Sequence, residues 1–254
     1  MSRYGVISDI HGNKQALDAV LEQLGQLNVD RIICLGDIVG YGPSPSQCLN
    51  DVHDYCHEIV RGNHDEAVID PDLGKYFNIA ASAALKWTRD QLTAHQKFLI
   101  STMKTRIRLG DSLLLVHDSP VLHDSSYIHE LPHAIEAFES LEEGICLHGH
   151  THLPTVFRAT ENENKGIEVT LTIPSHGDVT TLYPNDRYLC NPGSVGQPRD
   201  GDPRASFGVL DYTDQESEAT FTLYRTEYDI EKAKKETHRV GLPSDLAERL
   251  EAGL

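Results

Sequence analysis

The sequence predicts an α/β protein, and three observations carry that expectation. Short apolar runs alternate with helical patterns over the first hundred-odd residues, which indicates βαβ units and a largely parallel sheet. The second half changes to closely spaced runs of β-branched alternation, which read as strands. At 254 residues, 39% of them hydrophobic, the chain can bury a large core without disulfides or structural metals.

In order, Tyr4 to Ser8 reads as a buried strand ending at Asp9-Ile10-His11-Gly12. Asn13 then caps a helix with Ala16, Leu17, Val20, Leu21 and Leu24 on one face. Arg31 to Leu35 is a second strand, ending at Gly36-Asp37. The Gly/Pro/Ser-rich stretch from Gly40 to Ser46 is a loop, and Pro45 to Val52 forms a short helix. His57 to Val60 is a third strand, followed by Gly62-Asn63-His64-Asp65, which reads as a turn. Phe77 to Leu92 and Ala94 to Met103 are helical, the first with Ala80, Ala84, Trp87 and Leu92 as its apolar side. Ile107 to Leu109 and Leu113 to Val116 make a hairpin around Gly110-Asp111, ending at His117. Pro132 to Leu141 is a helix, and Ile145 to Leu147 a strand ending at His148-Gly149-His150-Thr151-His152. Strands follow at Val156 to Phe157, Ile167 to Ile173, Thr180 to Tyr183, Tyr188 to Cys190, Phe207 to Asp211 and Thr220 to Arg225. Glu161 to Lys165 is a polar turn among them, and helices at Ile230 to Arg239 and Ser244 to Leu250 close the chain.

Composition excludes several functions. Lys and Arg number 22 against 39 Asp and Glu, for a net charge of −17. Such an excess repels phosphate backbones and anionic lipid, so nucleic acid and membrane surfaces are not expected partners. No apolar run approaches the roughly 20 residues of a membrane-spanning helix. Met1-Ser2-Arg3-Tyr4 runs straight into the first strand, so no signal peptide is expected. Five cysteines, odd in number and without C-x-x-C spacing, fit reduced thiols in the cytoplasm.

The 14 histidines are the chemical signal. Five segments put His, Asp or Asn just after the C-terminal end of a predicted strand: Asp9 and His11, Asp37, Asn63 and His64, His117, and His150 with His152. In open α/β sheets that is where the ligand crevice lies. Each fragment alone also has a plain reading, as a helix cap, a Gly-Asp turn or a packed histidine. Alternate histidines after a strand, as at His148 to His152, are costly unless they bind something. So many ligating groups converge without basic residues only around cations. Imidazole with carboxylate suits Mn, Fe, Zn, Co or Ni, whereas Ca or Mg sites are built from oxygen. The ligand count fits two ions, and a pair roughly 3.5–4 Å apart clamps both oxygens of a phosphoryl displacement.

The series D-x-H, G-D, G-N-H-D, H and G-H-x-H, here Asp9 to His11, Gly36-Asp37, Gly62 to Asp65, His117 and Gly149 to His152, resembles the calcineurin-like metallophosphoesterase superfamily. Asn191 to Arg199 resembles its small bacterial and archaeal phosphodiesterase branch. The resemblance implies a four-layer αββα sandwich, two mixed β-sheets flanked by helices, as one domain over 1–254. It implies one ion held by Asp9, His11 and His152, the other by Asn63, His117 and His150, with Asp37 bridging. Mn or Fe are the favoured ions. His64 matches the family histidine that serves as general acid or donor to the phosphoryl oxygen, while a metal-bridging hydroxide attacks phosphorus in line.

Two departures stand out. Where many members read G-D-x-x-D-R-G, this chain has Gly40 for the Asp that orients the histidine and Tyr41 for the phosphate-contacting Arg. Asp118 follows His117 where relatives often have Gly. Asn191, Ser194, Arg199 and Tyr41 are the candidate substrate contacts, with Arg204 beside them; Asn191 and Ser194 also read as donors supporting the metals. His53, His57, His95, His123, His129, His133, His176 and His238 follow no ligand spacing. The expected function is a dinuclear-metal phosphoesterase for a small phosphodiester or nucleotide. The alternatives are a phosphoprotein or small-molecule phosphomonoesterase, or a non-catalytic metal-binding protein of the same fold. The terminal helices could cover a homo-oligomer interface or simply cap the sheet.

Overall fold

The computed structural model describes residues 2–121, 127–161, 166–213 and 217–254. Two six-stranded mixed sheets pack face to face with helices outside them. The first runs β3 (Glu58–Ile59), β2 (Arg31–Cys34), β1 (Ser2–Ile7), β11 (Ala205–Tyr212), β12 (Ala219–Thr226), β9 (Val179–Leu182). The second runs β4 (Arg106–Leu109), β5 (Leu113–Val116), β6 (Ile145–Leu147), β10 (Arg187–Pro192), β7 (Pro154–Glu161), β8 (Ile167–Thr172). The helices are α1 (Lys14–Gln26), α2 (Pro45–Tyr55), α3 (Asn63–Ile69), α4 (Ile79–Gln91), α5 (Ala94–Thr102), α6 (Leu131–Ser140), α7 (Ile230–Arg239) and α8 (Ser244–Ala252).

Strand periodicity builds the layers. Leu113 and Leu115 of β5 turn inward to meet Val6, Ile33, Leu35 and Phe221 of the first sheet. The intervening Leu114 and Val116 turn outward onto Ala134, Ala137 and Phe138 of α6. On the far side, α1 seats Leu17, Val20 and Leu24 against Ile7, Phe207 and Val209. Each such side chain contributes about 1.5–3 kcal/mol on burial.

The parallel pattern holds for β1, β2 and β3 and for β5, β6 and β10, but not for whole sheets. Antiparallel neighbours adjoin them, β11 from late in the chain beside β1 and β7 beside β10. Other boundaries move as well. The 62–65 stretch is the first turn of α3, not a loop, and β7 runs from Pro154 to Glu161 rather than over two residues. In α4 the expected side holds, with Ala84 and Leu92 buried and Ala80 and Trp87 packed on the core, and it is widened by Ala81, Leu85 and Thr88, which are buried too. The turn expected at Glu161 to Lys165 lies, beyond Glu161, outside the described residues, as does His123.

The parallel strands matter most for function. The carboxyl ends of β1, β2 and β3 in one sheet and of β5 and β6 in the other bring their loops together. Asp9 N donates to Gly36 O (3.0 Å), His11 N to Asp37 O (2.9 Å) and Gly149 N to His117 O (2.8 Å).

Candidate metal centre

Asp9, His11, Asp37, His117, His150 and His152 converge on one buried centre, none more than 7% exposed. Their ligand atoms form groups within 4.8 Å of one another: Asp9 with His11 and His152, and Asp37 with His117 and His150. Asp37 stands between the two, its Oδ2 3.7 Å from His11 Nε2 and 3.2 Å from His117 Nε2. Asn63 opens α3, and its Oδ1 is buried without a hydrogen-bond partner.

The backbone at this centre is unusual. Seven non-glycine residues among those described have positive φ, and six of them are Asp9, His11, Asp37, Tyr41, His150 and His152. Each such conformation costs about 1–3 kcal/mol and persists only where surrounding contacts enforce it. Close packing is part of the enforcement: a Cβ on Gly149 would collide with Ser8 Oγ and lie 2.7 Å from Asp9 Oδ2.

The histidines are aimed by their outer nitrogens. Nδ1 of His11 meets Val39 O at 3.2 Å, that of His117 meets Leu35 O at 2.8 Å, and that of His152 meets Gln197 O at 2.6 Å. A carbonyl only accepts, so Nδ1 carries a proton in each ring, and the neutral His11 and His152 turn an Nε2 lone pair inward. His11 Nε2 and His152 Nε2 consequently face each other at 3.1 Å. Asp9 Oδ1 and His150 Nε2 are also buried without a hydrogen-bond partner. Facing lone pairs and orphaned donor atoms are unfavourable in a dry interior unless a cation accepts them. The residues present therefore fit transition-metal ions, with one carboxylate and two imidazoles in each group.

The electrostatics agree. Burial holds His11 and His152 well below the usual imidazole range and takes His150 down to about 3, so all three are neutral ligands. Burial also raises Asp9 to about 6. Burial opposes the charge of Asp37, but His117, His64 and His11 hold its carboxyl well below the ordinary range. Burial likewise opposes a proton on His117, yet Asp37 and Asp9 push it up to about 10.

His64 sits at the rim of this centre, its backbone N–H donating to Asp37 Oδ1 at 2.9 Å. Its ring is clamped by Tyr41 and Phe77, each 4.5 Å away between centroids, and by His11 at 4.9 Å. Gly40 packs directly on it: a Cβ there, at φ +93°, would come within 2.7 Å of His64 Nδ1. No side chain fits at Gly40, and Nδ1 has no hydrogen-bond partner. Aromatic packing orients this ring where a carboxylate is absent.

Asn191 and Ser194 are fully buried, and their polar groups are used inside the protein, so they are not free to contact substrate. The Asn191 amide donates to Gly149 O (2.7 Å) and Thr151 Oγ1 (3.1 Å) and accepts from Gly193 N (2.8 Å). Ser194 Oγ donates to Asp9 O (2.7 Å) and accepts from Gln197 N (2.8 Å). They support the loops that carry Asp9, His150 and His152. Arg204 is tied to Asp202, with its Nη2 2.6 Å from Oδ2. Asp118 accepts from Ser119 N at 2.8 Å and so caps a turn. Tyr41 and Arg199 remain at the centre's edge.

Asp65 is a site residue that a turn over 62–65 does not reveal. It is fully buried, and its Oδ1 accepts from Ile38 N (3.0 Å) and Val39 N (3.1 Å), its Oδ2 from Gly62 N (3.0 Å). The sequence signal was available: an acid three residues after a helix-starting Gly reaches back to the first N–H groups. Because Val39 O in turn holds His11, Asp65→Asn is expected to disturb both fold and centre. Its amide would set an N–H against that of Gly62, costing about 1–3 kcal/mol. The thermal midpoint should fall by roughly 2–10 °C, and metal affinity with it. Calorimetric scans of the metal-free and metal-loaded variant check this, and an unshifted midpoint would contradict it.

Comparison with known proteins places this arrangement. The calcineurin-like phosphoesterase superfamily domain matches residues 3–215. The uncharacterized protein MJ0912 of Methanocaldococcus jannaschii is 35% identical over 99% of this chain and 98% of its own. Phosphodiesterase YfcE of Escherichia coli is 25% identical, covering 80% of this chain and 84% of its own. The crystal structure of a metallophosphoesterase from Sphaerobacter thermophilus superposes with a TM-score of 0.84 at 37% identity, over 100% of this chain and 99% of that one. The chain belongs to the calcineurin-like phosphoesterase superfamily and is a metal-dependent phosphoric ester hydrolase.

Proposed function

We propose that this protein is a dinuclear-metal phosphoesterase that hydrolyses a small phosphodiester or nucleotide. The observation that carries the reading is the pair of Asp/His/His groups meeting at Asp37, with His64 beside them. Asp9, His11 and His152 would hold one ion and His117, His150 and Asn63 the other, with Asp37 shared. Mn or Fe are the favoured ions for these N/O donors. When bound, such a pair supplies a nucleophilic hydroxide near neutral pH and offsets charge on the phosphoryl oxygens.

The chain's own groups do the rest. Val39, Leu35 and Gln197 carbonyls fix three imidazoles so that Nε2 points inward. Burial takes His64 down to about 4, so it works at neutral pH as an N–H donor to a phosphoryl or leaving oxygen. The diester preference is supported by likeness to a phosphodiesterase over most of the chain. The five unpaired cysteines fit a reducing compartment, the cytoplasm. No helix among the described residues is long and apolar enough to cross a membrane.

The test compares bis-p-nitrophenyl phosphate with p-nitrophenyl phosphate after stripping the protein of metal and restoring Mn²⁺. Metal-dependent turnover with the diester preferred is the expected result. Preference for the monoester would favour a phosphomonoesterase instead. No turnover of either, with two ions bound, would overturn the reading.

A further inference from the structure

Next to the metal centre lie two guanidinium groups that the protein does not neutralise. Arg199 Nη2 and Arg249 Nη1 both donate to one neutral acceptor, Gln197 Oε1, at 3.1 and 3.2 Å. Arg199 also acts on the Tyr41 hydroxyl, while Arg199 Nε is buried with no partner. The Arg249 guanidinium lies 5.9 Å from the centroid of the Tyr41 ring, which itself packs 4.7 Å from His11. Several other partly buried arginines find acids: Arg158 pairs with Asp186, Arg204 with Asp202 and Arg225 with Asp200, while Arg187 spends its guanidinium on the Phe138 and Leu141 carbonyls. Among the described residues no carboxylate comes within ion-pair distance of Arg199 or Arg249; Asp245, one turn back on α8, acts on Arg249 only from further away. In a chain of net charge −17, two adjacent arginines left without acids are conspicuous.

The two charges also work against each other. Burial and the neighbouring Arg199 both depress Arg249. The field of Arg199 reaches Asp9, His11, His64, His150 and His152, so the pair belongs electrically to the centre. Each guanidinium offers five N–H donors in a planar fork suited to phosphate. Gln197 couples the two places mechanically: its side chain gathers the arginines while its carbonyl aims His152.

We infer that Arg199 and Arg249, gathered by Gln197 and flanked by Tyr41, form an anion subsite for a second phosphate of the substrate. The inference rests on the phosphoesterase reading above and narrows its substrate class to compounds with a further phosphate beside the scissile one, such as a nucleoside diphosphate or a dinucleoside polyphosphate. Arg249 brings α8, at the far end of the chain, into substrate selection.

The test uses two probes that cannot be hydrolysed, methylenediphosphonate with two anionic groups and methylphosphonate with one. Each is titrated calorimetrically into the Mn²⁺-loaded full chain. The intact protein is expected to bind the diphosphonate at least about tenfold more tightly, the scale of one charge-assisted bidentate contact. Arg249→Gln and Arg199→Gln should each remove most of that margin. Arg249→Lys, which keeps the charge but loses the fork, should remove a smaller part and serves if the Gln variant fails to fold. No preference in the intact protein, or a margin unchanged in the variants, would overturn the subsite. Equal weakening of both probes would mean a structural role only, and would overturn it too. Because binding is measured directly, the result stands apart from whether the diester assay succeeds.

Discussion

Replacing Asp37 by asparagine is expected to strip metal from the centre and lower turnover by about 10³-fold or more. The side chain keeps its size, so the cause is charge. Asp37 is the carboxylate that both groups share, within 3.7 Å of His11 Nε2 and 3.2 Å of His117 Nε2. An amide in its place holds two cations poorly and turns N–H bonds toward imidazole lone pairs. Several kcal/mol of charge stabilisation are lost, and each 1.36 kcal/mol is about a factor of ten in rate. Metal analysis should find fewer than two ions per chain. Two tightly bound ions with normal turnover would show that Asp37 does not bridge.

The same variant carries a pH signature. In the metal-free protein Asp37 is the main group holding a proton on His117, whose pKa stands at about 10. Metal needs the Nε2 lone pair, so at neutral pH each ion bound there must expel that proton. Affinity should therefore rise with pH, about tenfold per unit, until the pH reaches the His117 pKa. Titrating Mn²⁺ into the intact protein at pH 8 in two buffers of different ionisation enthalpy should show a proton released. In metal-free Asp37→Asn the His117 pKa should fall toward the ordinary value, which an NMR titration of the His117 ring reads without any bound ion. An unchanged His117 pKa would mean that another group holds the proton.

The centre was legible in the sequence because strand ends are. Asp9, Asp37, His117 and His150 each fall within three residues of the end of a short apolar run, so their placement needs only the strand and its direction. Pairing between distant strands leaves no such mark. Nothing in the composition of β11 says that it lies antiparallel against β1, since an alternating strand fits many neighbours. Asp65 was lost to a wrong period: as an extended turn its side chain points away from His64, whereas as the first turn of α3 it folds back onto Gly62. Arg249 gave no signal, because on α8 it looks like any charge on a solvated helix face. Gly40 was legible as a missing carboxylate, but not its consequence. Only the contact with His64 shows that the position has no room for a side chain.

His64→Ala is expected to keep both metal ions while losing about 10²- to 10⁴-fold in turnover, the usual range for a positioned proton donor. One His64 nitrogen lies within 4.8 Å of the His11 and Asp37 ligand atoms, so metal content must be measured alongside rate. Loss of an ion would make His64 a ligand; undiminished turnover with both ions present would remove it from the chemistry. The choice of leaving group then separates its two possible tasks. If His64 hydrogen-bonds the leaving oxygen, the defect should be much larger for a strongly basic alkoxide than for p-nitrophenolate, which departs without help. If it hydrogen-bonds a non-departing phosphoryl oxygen, both substrates should suffer alike. The pH profile supplies the remaining constraint. With its pKa near 4, a neutral donor imposes no limb between pH 5 and 8. A limb in that window that disappeared in His64→Ala would instead mark His64 as the group that transfers the proton.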